Sequence, residues 1–117
     1  MSISVTPSPD NPKVSVVRMP GTLDITLTDV VLPQLTAALG QSEAGMILDF
    51  GETRLMSSAG LRALIVVRKK AMDLAKPIAL IRVQPMVYKI FEISELYTAF
   101  HFFDKQGDAI RALWSQA

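Results

Sequence analysis

The sequence predicts an α/β layer fold built on a mixed β-sheet, with about five strands packed against about four helices. Three observations carry this expectation. Short apolar runs bounded by turn residues alternate with longer segments of helical periodicity, the order of a sheet covered by helices. Two alternating runs joined by a turn-rich segment open the chain, which adds a hairpin to that order. The 117 residues, 50% of them hydrophobic, suffice for one substantial core and leave nothing for a second, so residues 1–117 are expected to form a single domain.

In chain order, "SISVTP" and "KVSVVRMP" alternate as strands, and "PSPDNP" between them is a hairpin-like connection. Gly21 marks a break. In "TLDITLTDVVLPQLTAAL" the period becomes helical, with Val30, Val31, Leu35, Ala38 and Leu39 recurring together. Thr28 or Asp29 is suited to cap its start, Pro33 is tolerated in its first turn, and Gly40 supplies a stop. "GMILDF", Gly45 to Phe50, is short and bounded by turns, hence a buried strand. Past "GETR" and the apolar pair Leu55 and Met56, a long helix is expected from Ser58 to Ala75. Leu61, Leu64, Ile65, Met72 and Ala75 line one flank; Arg62, Lys69, Asp73 and Lys76 line the opposite stripe, with Lys69 and Asp73 an i,i+4 pair. Pro77 ends this helix and "PIALIRV" is the next buried strand. A short helix in "PMVYKIFEISEL", a strand in "AFHFF" and a last helix in "KQGDAIRALW" complete the order.

Composition removes several classes of function. Twelve Lys and Arg against eleven Asp and Glu give a net charge of +1, without the basic excess of a phosphate-backbone binder, so nucleic acid is not expected as a partner. With no cysteine, disulfides, thiol catalysis and cysteine-ligated metals are excluded. One histidine and no calcium-loop or zincin spacing argue against a metal site, and no Gly-rich phosphate loop supports a nucleotide, so no cofactor is expected. No apolar run approaches the roughly 18 to 20 residues that span a bilayer, and "MSISVTPSPD" lacks the pattern of a secretory signal. A cytoplasmic protein without membrane insertion is the expectation.

The chemistry that remains centres on Ser57 and Ser58, where an apolar segment meets the long helix. One of them is expected to cap it by accepting a hydrogen bond from a first-turn amide. A phosphate on a serine there would also be welcome, because free amides and the positive end of the helix dipole face it. Catalysis fits poorly: "MSSAG" is not the G-x-S-x-G elbow, and His101 lies far along the chain as a partly buried strand residue. "DFG", Asp49 to Gly51, stands without the other kinase motifs, so Asp49 is a polar residue at the carboxyl end of a buried strand. Asp24, in "GTLD", fits turn chemistry or capping. Val66 and Val67 hint at an exposed apolar patch on the charged side of the long helix.

The order of elements, with "GTLD" after the second strand and "ILDFGETRLMSSAGLRAL" at the third strand and long helix, resembles the STAS domain over about Ser2 to Trp114. The likeness is nearest to the single-domain bacterial anti-sigma-factor antagonists. It implies the STAS fold and a non-enzymatic regulator that works by partner switching. Unphosphorylated antagonist binds an anti-sigma factor, a serine kinase with the histidine-kinase-like ATPase fold; phosphorylation expels it, and a serine phosphatase resets the cycle. By the resemblance Ser58 takes the phosphorylated position, with Ser57 a second candidate because it replaces the family's Asp. Asp24 and Asp49 match the family's acidic positions, and Gly60 belongs to the switch motif. Arg62, Val66 and Lys69 extend the expected partner-binding surface along the helix. The alternative that the resemblance leaves open is a STAS accessory subunit of a lipid-transporting ABC complex, without obligatory phosphorylation.

Overall fold

A computed structural model describes residues 3–115, leaving aside the side chains of residues 26–28. The elements run β1 (Ser4–Pro7), β2 (Val14–Arg18), β3 (Thr22–Leu23), α1 (Ile25–Gln41), β4 (Gly45–Asp49), β5 (Leu55–Met56), α2 (Ser58–Asp73), β6 (Ile78–Ile81), α3 (Pro85–Ile93), β7 (Phe102–Phe103) and α4 (Gln106–Leu113). Among the described residues these make a five-stranded mixed sheet and four helices, as the sequence predicts.

The sheet order is β1-β2-β4-β6-β7, antiparallel at β1–β2 and parallel elsewhere. From β2 onward each strand is laid down on the same side of its predecessor. Right-handed crossovers then place α1, α2 and α3 on one face. The larger core forms there: Val31 and Leu35 of α1, Leu61, Leu64 and Val67 of α2, and Val87 and Phe91 of α3 pack over Val17, Met46, Leu48 and Leu80. Each fully buried Leu or Phe in it contributes about 1.5 to 3 kcal/mol. The opposite face is closed by α4, whose Ala109 and Ile110 cover Val14, Ile47, Ala79 and Ile81. β4 is buried along its whole length, which is why its sequence is a continuous apolar run rather than an alternating one.

Several boundaries differ from the sequence expectation. Ser2, assigned to the first strand, lies outside the described residues, as does the Thr28 side chain. α1 starts at Ile25, before either Thr28 or Asp29, so neither marks its start and Pro33 sits in mid-helix on an exposed position. Nor does Gly40 end it. The last carbonyls of α1 have outside partners: Lys76 Nζ donates to Leu39 O at 3.0 Å and to Gly40 O at 3.3 Å, and Ser42 Oγ donates to Ala38 O at 2.6 Å.

α2 ends at Asp73, with Leu74 its C-cap and Ala75 beyond it in the left-handed region at φ 54°. Its core-facing arc passes through Gly60, Leu61, Ala63, Leu64, Val67 and Ala71. The small residues let α2 approach its neighbours closely, which rotates Ile65 and Met72 outward; both are exposed, against expectation. Val67 is the converse correction, since it is fully buried while Val66 is 49% exposed. Lys69 and Asp73 are not among the ion pairs of the described residues. α3 stops at Ile93 rather than Leu96, and "AFHFF" contracts to Phe102–Phe103. His101 precedes that strand and is exposed, although its carbonyl accepts the Leu80 N–H at 2.8 Å.

Candidate functional site

A two-stranded parallel ribbon, β3–β5, sits apart from the main sheet and sets the position of the paired serines. Its register matches Thr22 with Leu55 and Leu23 with Met56, so Asp24 and Ser57 leave the ribbon side by side. The Ser57 N–H donates to Leu23 O at 3.0 Å, and Arg54 N–H donates to Gly21 O at 2.8 Å. Gly60 closes the arrangement from the helix side. A Cβ at this position would lie 2.5 Å from Leu23 O and 2.9 Å from Met56 Cγ, so only glycine lets the first turn of α2 rest on the ribbon.

The two serines have different jobs. Ser57 is the N-cap, with extended backbone at φ −92° and ψ 175°; its Oγ accepts from the Gly60 N–H at 3.4 Å and its carbonyl from the Leu61 N–H at 3.1 Å. The capping role expected of one serine therefore falls to Ser57, which is half-buried. Ser58 is the first helical residue and is exposed. Its hydroxyl is displayed at the positive end of α2.

From Ser58, the exposed residues Arg62, Val66 and Lys69 follow at spacings that keep them on the outer side of α2. Beside this stripe runs a groove of about 350 Å³ between α1 and α2, lined by Ile25, Leu32, Pro33, Ala59, Ala63 and Val66, with Asp29 and Arg62 supplying its charges. Ile25 at 66% exposure and Val66 at 49% present apolar surface to solvent along this groove. Asp24 is half-buried and directly precedes α1.

Asp49 is placed differently from the other candidates. It is only 7% exposed, and its carboxylate accepts Arg82 Nε at 3.0 Å, Arg82 Nη2 at 2.7 Å and the Gly51 N–H at 2.9 Å. Hydrogen bonding to Asp49, reinforced by its charge, holds the Arg82 guanidinium protonated even beyond its usual range. The backbone of Arg82 lies in the left-handed region at φ 54°, a conformation that costs a non-glycine residue about 1 to 2 kcal/mol. A Cβ on Gly51 would come within 2.5 Å of that guanidinium. Gln84 Nε2 donates to Gly51 O at 3.0 Å, and the buried Thr53 donates its hydroxyl to Pro20 O at 2.7 Å. The segment between β4 and β5 is thus tied on both sides.

The structure places Asp24, Ser57, Ser58, Gly60, Arg62, Val66 and Lys69 on neighbouring elements, while Asp49 is tied to Gly51 and Arg82 at the start of the β4–β5 loop. Sequence reasoning did not single out Arg82, Gln84 or Thr53. One signal was available: "GMILD" and "IALIR" end parallel neighbouring strands with lone opposite charges, and Asp49 pairs in register with Ile81, one residue before Arg82. Among the described residues no group of three or more His, Asp or Glu is arranged to hold a metal, and no helix is long and apolar enough to cross a membrane.

Comparison with known proteins gives this geometry a context. The family model of the STAS domain matches residues 6–109. A protein of Bordetella bronchiseptica named as an anti-sigma factor antagonist, BtrV, is 33% identical over 67 residues, covering 57% of this chain and 58% of that protein. The match therefore spans somewhat over half the length of that curated relative. A STAS domain protein from Planctomyces limnophilus superimposes with a TM-score of 0.84 at 18% identity, covering 98% of this chain and 100% of that one. The Bacillus cell fate determinant SpoIIAA, solved in its phosphorylated form, gives a TM-score of 0.67 at 19% identity over 94% of this chain and 97% of its own. At these identities the two structures establish a shared fold.

Proposed function

The chain belongs to the STAS domain family, and on that footing we propose that it is an anti-sigma-factor antagonist that works by partner switching at Ser58. In its unphosphorylated form it binds an anti-sigma serine kinase through α2 and the adjoining groove. Phosphorylation of Ser58 ejects it, and a serine phosphatase restores the binding form. It acts in the cytoplasm as one STAS domain and catalyses nothing itself.

The observation that carries this reading is the division of labour between the serines. Ser57 satisfies the helix cap, which leaves the Ser58 hydroxyl exposed at the first position of α2. A phosphate there adds about −1.5 to −2 charges at a helix N-terminus able to tolerate them, yet in the middle of a surface that a partner must dehydrate. The fold survives and the complex does not. Two further facts lend support: BtrV carries the name of an antagonist, and SpoIIAA, with the same fold, exists in a phosphorylated form.

The test uses the purified serine kinase from the same genome, ATP, and the wild-type, Ser57→Ala and Ser58→Ala proteins, with phosphosites mapped by mass spectrometry. One phosphate per chain on wild type and Ser57→Ala, and none on Ser58→Ala, is expected. Full labelling of Ser58→Ala would move the switch to Ser57 or another hydroxyl. Equal capture of transporter subunits by Ser58→Ala and Ser58→Asp, with no kinase held by either, would favour the accessory-subunit alternative.

A further inference from the structure

We infer that the partner docking on α2 presents carboxylates around an apolar side chain, an inference that rests on the switching role just proposed and names the chemistry of its partner. The first observation is a charge asymmetry concealed by the near-neutral total. Residues 54–76 hold six of the chain's twelve Lys and Arg but, in Asp73, only one of its eleven carboxylates. The remaining residues carry six cations against ten carboxylates. The basic charge of the chain is concentrated in the segment that holds α2.

Two of the six cations are spent on the fold, since Arg68 Nε donates to Ala99 O at 2.6 Å and Lys76 caps the end of α1. Arg54, Arg62, Lys69 and Lys70 are different: they are exposed, and none belongs to the ion pairs of the described residues. At roughly 100° per residue, Ser58, Arg62 and Lys69 fall within about 40° of one another around the helix. The second observation is the groove between α1 and α2, apolar apart from Asp29 and Arg62, which lies alongside that stripe and has Val66 in its wall. A complementary surface therefore carries acidic residues for the stripe and one apolar side chain for the groove.

This chemistry also fixes the sign of the switch. An acidic partner is repelled when a phosphate cancels the local charge of Arg62 and Lys69, whereas a basic partner would be drawn in by the same phosphate. Expulsion on phosphorylation follows from the basic stripe.

The experiment measures the affinity of the purified kinase for wild type, Lys69→Glu and Lys105→Glu by calorimetry, with folding of each variant checked by circular dichroism. Lys105 lies at the start of α4, across the sheet, and serves as the control. Wild-type affinity is expected to fall about tenfold between roughly 50 and 300 mM salt, Lys69→Glu to weaken binding about tenfold at the lower salt, and Lys105→Glu to have little effect. A carbodiimide, which joins amines to carboxylates in direct contact, is expected to link Lys69 or Lys70 to an Asp or Glu of the kinase. A complex that forms but is indifferent to salt and to Lys69→Glu, without such links, overturns the acidic-partner inference alone. Failure of the unphosphorylated protein to bind the kinase at any salt overturns the switching role and this inference with it. Binding of wild type to vesicles with about 30% phosphatidylserine, lost in Lys69→Glu while kinase affinity is unchanged, would assign the stripe to an anionic lipid surface instead.

Discussion

The loop joining β4 to β5 and the outer side of α2 are consecutive in sequence and opposite in character. In the loop the less exposed polar groups are answered from within the fold: Asp49 by Arg82 and Gly51, Gly51 O by Gln84, and the Thr53 hydroxyl by Pro20. Along α2, Ser58, Arg62, Val66 and Lys69 face solvent. The contrast separates two uses of polar residues near one site. Those of the loop hold the start of α2 in place, and those of the helix are available to another molecule.

Substitutions that act on the held region should have the largest effect on stability. Gly60→Ala drives a methyl group against Leu23 O and Met56, an overpacking expected to cost about 1 to 3 kcal/mol in urea unfolding. A neutral result would mean that the ribbon and helix can separate without penalty. Asp49→Ala leaves the left-handed Arg82 without its acceptor and is expected to cost about 1 to 3 kcal/mol; because the guanidinium is half exposed and can turn to water, the lower half of that range is expected. The same variant should still be phosphorylated on Ser58 once folded, and loss of phosphorylation in a folded protein would show that Asp49 contacts the kinase. Ser57→Ala removes a cap whose bond to Gly60 N is long at 3.4 Å, so its cost should lie near the low end of the usual range of about 0.5 to 2 kcal/mol.

The elements of this contrast were unequally legible in the sequence. β4, β6 and the helices declared themselves through burial, because a strand covered on both faces is a continuous apolar run and a helix packed on one side has an apolar arc. The ribbon β3–β5 did not, since two residues per strand are too short to show a period. Its cause is tertiary: Gly21 O and Leu23 O accept bonds from a segment more than thirty residues further on. The start of α1 was missed because the capping chemistry of Thr28 and Asp29 is local, whereas the helix is placed by packing of Val31 and Leu35. For the same reason Val66 and Val67, identical by propensity, could not be told apart until the arc through Leu64, Val67 and Ala71 was fixed. Ser58 and its neighbours were singled out as candidates by motif, but the assignment of the cap to Ser57 needed the backbone.

Ser58→Asp should have the smallest effect on stability and the opposite sign. A carboxylate at the first position of a helix interacts favourably with the dipole by about 0.3 to 1 kcal/mol, and no bond of the native fold runs through the Ser58 hydroxyl among those described. The variant is therefore expected to unfold at the wild-type urea concentration or slightly above it, while its affinity for the kinase falls at least about tenfold by the same repulsion that a phosphate exerts. A large loss of stability would mean that Ser58 rather than Ser57 secures the helix start. Full affinity in a well-folded variant would mean that the exposed stripe begins beyond Ser58 and that the partner docks elsewhere. Stability kept and binding lost in one protein separates the held region from the offered one, because a single charge then acts on the complex without acting on the fold.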